Sequence, residues 1–168
     1  MPKVDQEGRV GSNQYVWDGS AWRRKTRRLI GKVEDLTDTV PANGGKRDYV
    51  VKADEGEVWR LVGMYLHAPA VSGATSGWHH LLVVVRPDGG NWIWKLLIES
   101  TYDNAVTYVY HRIHTANQLQ YPVDEVAQGL AADSIYIGGD SDLLIRYTNY
   151  TNADQTGTRH IRLQFITV

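Results

Sequence analysis

From Asp48 onward apolar side chains recur at every second position, and turn-forming residues break the pattern every 10 to 15 residues or so. A period of two sends successive side chains to opposite faces of an extended backbone, so a chain patterned this way is committed to building sheets. Val58, Arg60, Val62, Met64 and Leu66 alternate with Trp59, Leu61, Gly63 and Tyr65, a strand apolar on both faces. The glycine-rich run 71–77 separates it from the strand 78–86. In Pro87-Asp88-Gly89-Gly90 the proline presets the first φ and the glycines accept positive φ, so residues 78–98 read as a hairpin. Further strands are expected at 105–113, 134–138, 143–148 and 160–167. In the last of these Ile161, Leu163 and Phe165 point one way and His160, Arg162 and Gln164 the other, which gives one wet face. Only 122–129 reads as helical, with Pro122 at its first position and Gly129 just past its end. About seven or eight strands joined by glycine-rich turns predict an all-β fold, an antiparallel β-sandwich of jelly-roll type. No repeat of propeller or solenoid period occurs.

The front of the chain is different. Tyr15-Val16-Trp17-Asp18-Gly19-Ser20-Ala21-Trp22 sets a tight-turn signal, Asp18-Gly19, between two short aromatic-bearing segments and predicts a small hairpin. The basic run Arg23-Arg24-Lys25-Thr26-Arg27-Arg28 follows, and Val40-Pro41-Ala42-Asn43-Gly44-Gly45-Lys46 has the composition of a linker. The expected division is an extended arm over 1–45 and a sandwich domain over 46–168. A core built from the second part is large enough to fold without staples.

Composition narrows the function classes. The 18 basic and 19 acidic residues leave a net charge of -1, so no global field draws the chain to nucleic acid or to an anionic membrane. Cysteine is absent, which removes disulfides and thiolate metal sites. No run approaches the ~20 apolar residues of a membrane span, and no membrane partner is expected. The first residues lack the apolar run of a signal peptide, which predicts a protein made and folded in a cytoplasm. Six tryptophans and ten tyrosines against one phenylalanine favour half-buried strands and contact surfaces, because amphipathic aromatics suit both.

The chemistry-bearing residues are scattered. His111 and His114 lie three apart, a spacing that shares a helix face but opposes the rings on a strand, and His79 and His80 diverge for the same reason. Both pairs are expected at a polar edge or an interface. Gly138-Gly139-Asp140-Ser141-Asp142 opens like a calcium loop, but Leu143-Leu144-Ile145 supplies no later ligands, so a strand-connecting turn is expected. No P-loop, dinucleotide fingerprint or glycine-flanked serine nucleophile occurs. The carboxylates Asp54, Glu55 and Glu57, and Glu99 with Asp103, read as solvated turns. No cofactor or metal is expected. Trp92 and Trp94 share a strand face and are candidates for a platform on which sugar rings stack.

The run from Tyr147 through Asn149-Tyr150-Thr151-Asn152-Ala153-Asp154 to Arg159-His160-Ile161-Arg162-Leu163 resembles the last two strands of β-sandwich structural proteins of tailed bacteriophages and prophages, in which a polar loop joins the final pair. The aromatic turn from Tyr15 to Trp22 is similar to short turns at the ends of phage tail, fibre and head-surface proteins. The resemblance covers about a third of the chain. It implies a non-enzymatic virion component, with head decoration, tail and fibre roles all open and no catalytic residues to carry over. It also implies partners: a homo-oligomer, expected as a trimer, and other virion proteins, with a host-surface glycan under the receptor-binding alternative. The expected contact residues are Trp17 and Trp22 as aromatic anchors and Arg23, Arg24, Arg27 and Arg28 pairing with acidic groups. Guanidinium is satisfied by phosphate as well as by carboxylate, so the cluster alone does not separate protein from packaged nucleic acid. A sandwich hydrolase would need carboxylates or histidines converging in a pocket.

Overall fold

A computed structural model describes residues 15–17, 20–24, 27–87, 94–113, 116–120, 126–128 and 135–168. Among these there is no helix and every paired strand is antiparallel. In chain order the strands are β1 (Tyr15–Trp17), β2 (Trp22–Arg24), β3 (Leu29–Leu36), β4 (Gly45–Lys52), β5 (Val58–Ala68), β6 (Trp78–Pro87) and β7 (Trp94–Thr101). They continue as β8 (Val106–Ile113), β9 (Ala116–Gln120), β10 (Val126–Gln128), β11 (Tyr136–Gly138), β12 (Ser141–Asn149) and β13 (Arg159–Thr167).

The pairing of the long strands is nested. The first of them, β3, pairs with the last, β13; β4 pairs with β12, β5 with β8, and β6 with β7, as in one long hairpin folded back on itself. The doubled hairpin then rolls, so that β13 also pairs with β5 and β12 with β6. Two facing layers result, β3-β13-β5-β8 and β4-β12-β6-β7. This is the jelly roll, the β-sandwich type expected from the alternation. β9 extends the first layer beyond β8, and β10 extends the second beyond β7. β11 pairs with the start of β5 and hands the chain to β12 through the turn at Gly138-Gly139. Gly138 has φ +150°, and a Cβ there would meet the Glu57 carbonyl at 2.5 Å, so the turn is closed to other residues. The expected strand-connecting role of this glycine and aspartate run is what the structure shows.

The interior lies between the layers. Val51, Leu81, Val83, Val85, Leu96, Ile98, Leu143 and Ile145 come from one sheet, and Trp59, Leu61, Met64, Leu66, Val106, Ile161, Leu163 and Phe165 from the other. Trp59 is the largest of them; its ring centroid lies 5.6 Å from that of Phe165, and its Nε1 donates to Glu57 at 2.6 Å. The alternation expected for β13 is observed, with Ile161, Leu163 and Phe165 buried.

Three expectations change. Residues 126–128, inside the expected helix, form β10 against Leu97–Glu99. A helix of under two turns has few internal bonds to offset its nucleation, whereas the edge of β7 supplies ready donors and acceptors and Val126 is a strand former. Residues 29–45, assigned by sequence to the arm, are built into the domain: β3 is a full strand of the first layer, and Val40, bridged to Gln155, is completely buried. Finally, β5 does not keep one alternation. Its register to β13 slips between Gln164 and Phe165, where Leu61 and Gly63 oppose consecutive residues and Val62 is the extra one. Trp59 and Leu61 face inward before this bulge, and Met64, Leu66 and Ala68 after it.

Candidate interaction surfaces

Most of the buried polar side chains among the described residues hold one end of the sandwich together. Asn149 Nδ2 donates to the carbonyls of Val40 and Ala153, and its Oδ1 accepts from the N–H and hydroxyl of Thr151. Arg159, almost wholly buried, donates to the carbonyl and carboxylate of Asp38 and lies over the Tyr147 ring at 5.3 Å. His79 is buried as well. Its Nε2 lies 2.8 Å from the Asn104 carbonyl, which can only accept, so Nε2 carries the proton and Nδ1 takes the Tyr147 hydroxyl at 2.9 Å. Burial holds this imidazole below its usual pKa and pushes the Tyr147 phenol up to about 12. A neutral histidine and a neutral tyrosine bonded in series are structural, and the expectation of an edge position for His79 is corrected: it points into the core because its register partner Asn149 does.

His80 points the other way, as the strand period requires. With Trp78 and Tyr150 it forms an aromatic cluster on the outer face of the second layer: Trp78 and Tyr150 stack at 4.3 Å, and His80 lies 5.6 Å from one ring and 5.5 Å from the other. Both large rings stay well exposed. The loop before β6 fixes them. Tyr150 N–H donates to the Trp78 carbonyl, and Asn152 Oδ1 takes the N–H groups of Thr75 and Ser76. Gly77, at φ +98°, passes so close that a Cβ would meet the Tyr150 carbonyl at 2.4 Å. Burial, then the nearness of His79 and of the cations Lys46, Lys95 and Arg146, lowers the His80 pKa to about 4, and its buried Nδ1 has no hydrogen-bond partner.

A second row crosses the outer face of the other layer. The Tyr65 ring stacks on His67 and His67 on His160; His160 Nδ1 lies 2.7 Å from Asp35 Oδ1, which also accepts from Arg162 at 2.7 Å. His67 is anchored from the other side by the Thr107 hydroxyl. These two hydrogen bonds hold the Asp35 carboxylate below its ordinary pKa, and burial lowers that of His67. Among the described residues no three metal-ligating side chains converge.

The front residues divide. β1 and β2 form the expected hairpin, a sheet of their own with Trp17 opposite Trp22 and Val16 opposite Arg23. Arg27 and Arg28 are exposed, and Arg28 already bonds Asp54 and Glu57 of its own chain. The acidic partners expected on a neighbour are thus met internally at this position. Trp94 opens β7 opposite Val85, while Trp92 and His114 lie outside the described residues. Among the described residues an exposed aromatic surface is built from Trp78 and Tyr150, which share no sequence run and are brought together by the β6–β12 pairing.

The sequence matches no protein family and no curated protein. Among solved structures it is similar to a chain described as "Structure of infectious bursal disease virus Gx strain", at 10% identity and a TM-score of 0.37, over 94% of this chain and 37% of that one. The chain therefore spans little more than a third of its structural neighbour.

Proposed function

We propose that the protein is a non-enzymatic structural component of a virion, of the tailed-phage type, that self-associates and docks on a larger particle. The observation that carries this reading is the nested strand order, a jelly roll of the architecture used by viral coat domains, combined with a basic hairpin that forms its own sheet. The rolled sandwich supplies a stiff wall, and a hairpin outside its ladder supplies contact area that a small globule lacks. Head decoration, tail and fibre positions each fit this arrangement. The test is solution mass by light scattering on the full chain and on residues 27–168. A full chain larger than the shortened one makes the hairpin an assembly device. Equal masses, with no incorporation into particles when the chain is added to an assembling system, overturn the reading.

The exposed Trp78–Tyr150 stack supports a second reading, since jelly rolls also serve as lectin domains and sugar rings stack on aromatic faces. Glycan-array binding abolished by Trp78→Ala would establish it. An array with no signal for the full chain would remove it.

A further inference from the structure

We propose that β3 pairs with β3 of a second copy of this chain, antiparallel, about a two-fold axis at Gly31. The inference rests on the self-association just proposed and assigns it a surface.

Among the described residues β3 is the last strand of its layer and pairs only with β13. Thr167 N–H donates to the Arg28 carbonyl, and Arg28 N–H to the Thr167 hydroxyl, so the Arg28 backbone faces β13. Alternation along an antiparallel ladder then turns Ile30, Lys32 and Glu34 toward β13 and leaves the N–H and C=O groups of Leu29, Gly31, Val33 and Asp35 on the open edge. Such an edge is a template for another strand unless proline, a bulge, charged side chains or a cover blocks it; β3 contains neither proline nor bulge, and of its charged residues Lys32, Glu34 and Asp35 the two acidic ones meet arginines in the pairing below.

The side chains specify which strand fits. Leu29 and Val33 are the two most exposed large hydrophobic residues described, at 66% and 64%. Turned about Gly31, three of the four opposed pairs in the segment 27–35 are complementary, each twice by symmetry: Arg27 meets Asp35, Arg28 meets Glu34 and Leu29 meets Val33, while Ile30 meets Lys32. Opposed charges and opposed apolar side chains are the pairs that stabilise antiparallel strands. Moving the axis one residue either way loses this match. An axis at Lys32 opposes Leu29 to Asp35 and Lys32 to its own copy; an axis at Ile30 opposes Arg28 to Lys32. A Cβ at Gly31 would meet nothing within 4 Å, so the axis position is open. The present partners of Arg28 are exposed ion pairs, a kind readily exchanged or shared. The resulting contact is isologous and continues one layer across two molecules. It builds dimers, so a threefold assembly would have to use another surface.

The experiment uses the full chain. Light scattering is expected to give a dimer or an even multiple, and Gly31→Pro is expected to halve that mass. The variant keeps its near-UV spectrum and melting temperature, because the N–H it removes faces away from β13. Val33→Lys, at an exposed side chain, gives the same result independently. Cysteine scanning reads the register in a chain with no native cysteine. Gly31→Cys cross-links alone, since directly opposed Cα atoms lie about 5.5 Å apart. Leu29→Cys and Val33→Cys cross-link when mixed but not singly, because Leu29 of the two copies would be ~13 Å apart. Unchanged mass in both Gly31→Pro and Val33→Lys, or cross-linking of Leu29→Cys alone, overturns the pairing. If mass falls on removal of residues 1–26 and not with Gly31→Pro, self-association through the hairpin stands and the β3 contact is overturned by itself.

Discussion

At the scale of single residues, the histidines show how strand position decides chemistry. His79 and His80 are neighbours in sequence, yet one is locked between Tyr147 and Asn104 inside the sandwich and the other lies among aromatic rings outside it. Both are held below the usual imidazole pKa, His80 at about 4. A depressed histidine is neutral in the fold and charged when unfolded, so the unfolded state binds the extra proton between pH 6.5 and about 4. Stability is therefore full above pH 6.5 and is expected to fall as pH drops through that window. Urea midpoints at pH 7, 5.5 and 4.5 should decline in that order, and His80→Gln should flatten the slope; a pH-independent midpoint would contradict the burial of these rings. Below it the salt-bridged carboxylates of Asp35 and Asp48, held low by His160, Arg162 and Arg146, add their own loss. Asn149 offers a second test at this scale. Asn149→Ala removes four buried hydrogen bonds and leaves the Thr151 N–H unpaired, while the Val40 and Ala153 carbonyls keep the Gln155 N–H and the Thr151 hydroxyl; it is expected to cost ~2 kcal/mol in urea unfolding, against well under ~1 kcal/mol for exposed Asn152 partners lost singly.

At the scale of elements, the bulge in β5 lets one strand serve two phases. Deleting Val62 would restore strict alternation and throw either Trp59 and Leu61 or Met64 and Leu66 to the wrong face, so the deletion is expected to abolish the cooperative melt, whereas Val62→Thr keeps it. A folded deletion variant, detected by near-UV circular dichroism, would show that β13 can slip to compensate. The same bulge explains a limit of sequence reading: residues 58–66 looked apolar on both faces because two inward-facing sets of opposite phase lie end to end. The remaining strands from β6 onward were legible where they alternate cleanly, as in β13, or are flanked by glycine and proline, as in β6. β3 was not, because Arg27-Arg28 and Lys32 mask an edge strand whose inner face contributes only Ile30 and Leu36 to the core. The aromatic surface was illegible for another reason. Trp78 and Tyr150 are 72 positions apart by their numbering, and only the long-range pairing of β6 with β12 makes them neighbours.

At the scale of the molecule, the strands paired along most of their length on both sides, β5, β6, β12 and β13, should hold the slowest-exchanging amides, with β4, paired on one side only among the described residues, exchanging faster. Hydrogen-exchange mass spectrometry checks this order, and equal protection of β4 and β12 would mean that another chain or segment covers the edge. The nested pairing also has a bearing on how the protein comes into being. β13 lies between β3 and β5, so the first layer has no continuous ladder until residues 159–167 are in place. A nascent chain leaving the ribosome can form the local β6–β7 hairpin early, but β3 and β4 must wait, unpaired, for partners made more than 90 residues later. High contact order of this kind slows folding and leaves strand edges exposed meanwhile. The arrangement also acts as a completeness check: a translation product that stops short of β13 leaves β3 without a partner and unjoined to β5, so the first layer cannot close over the core.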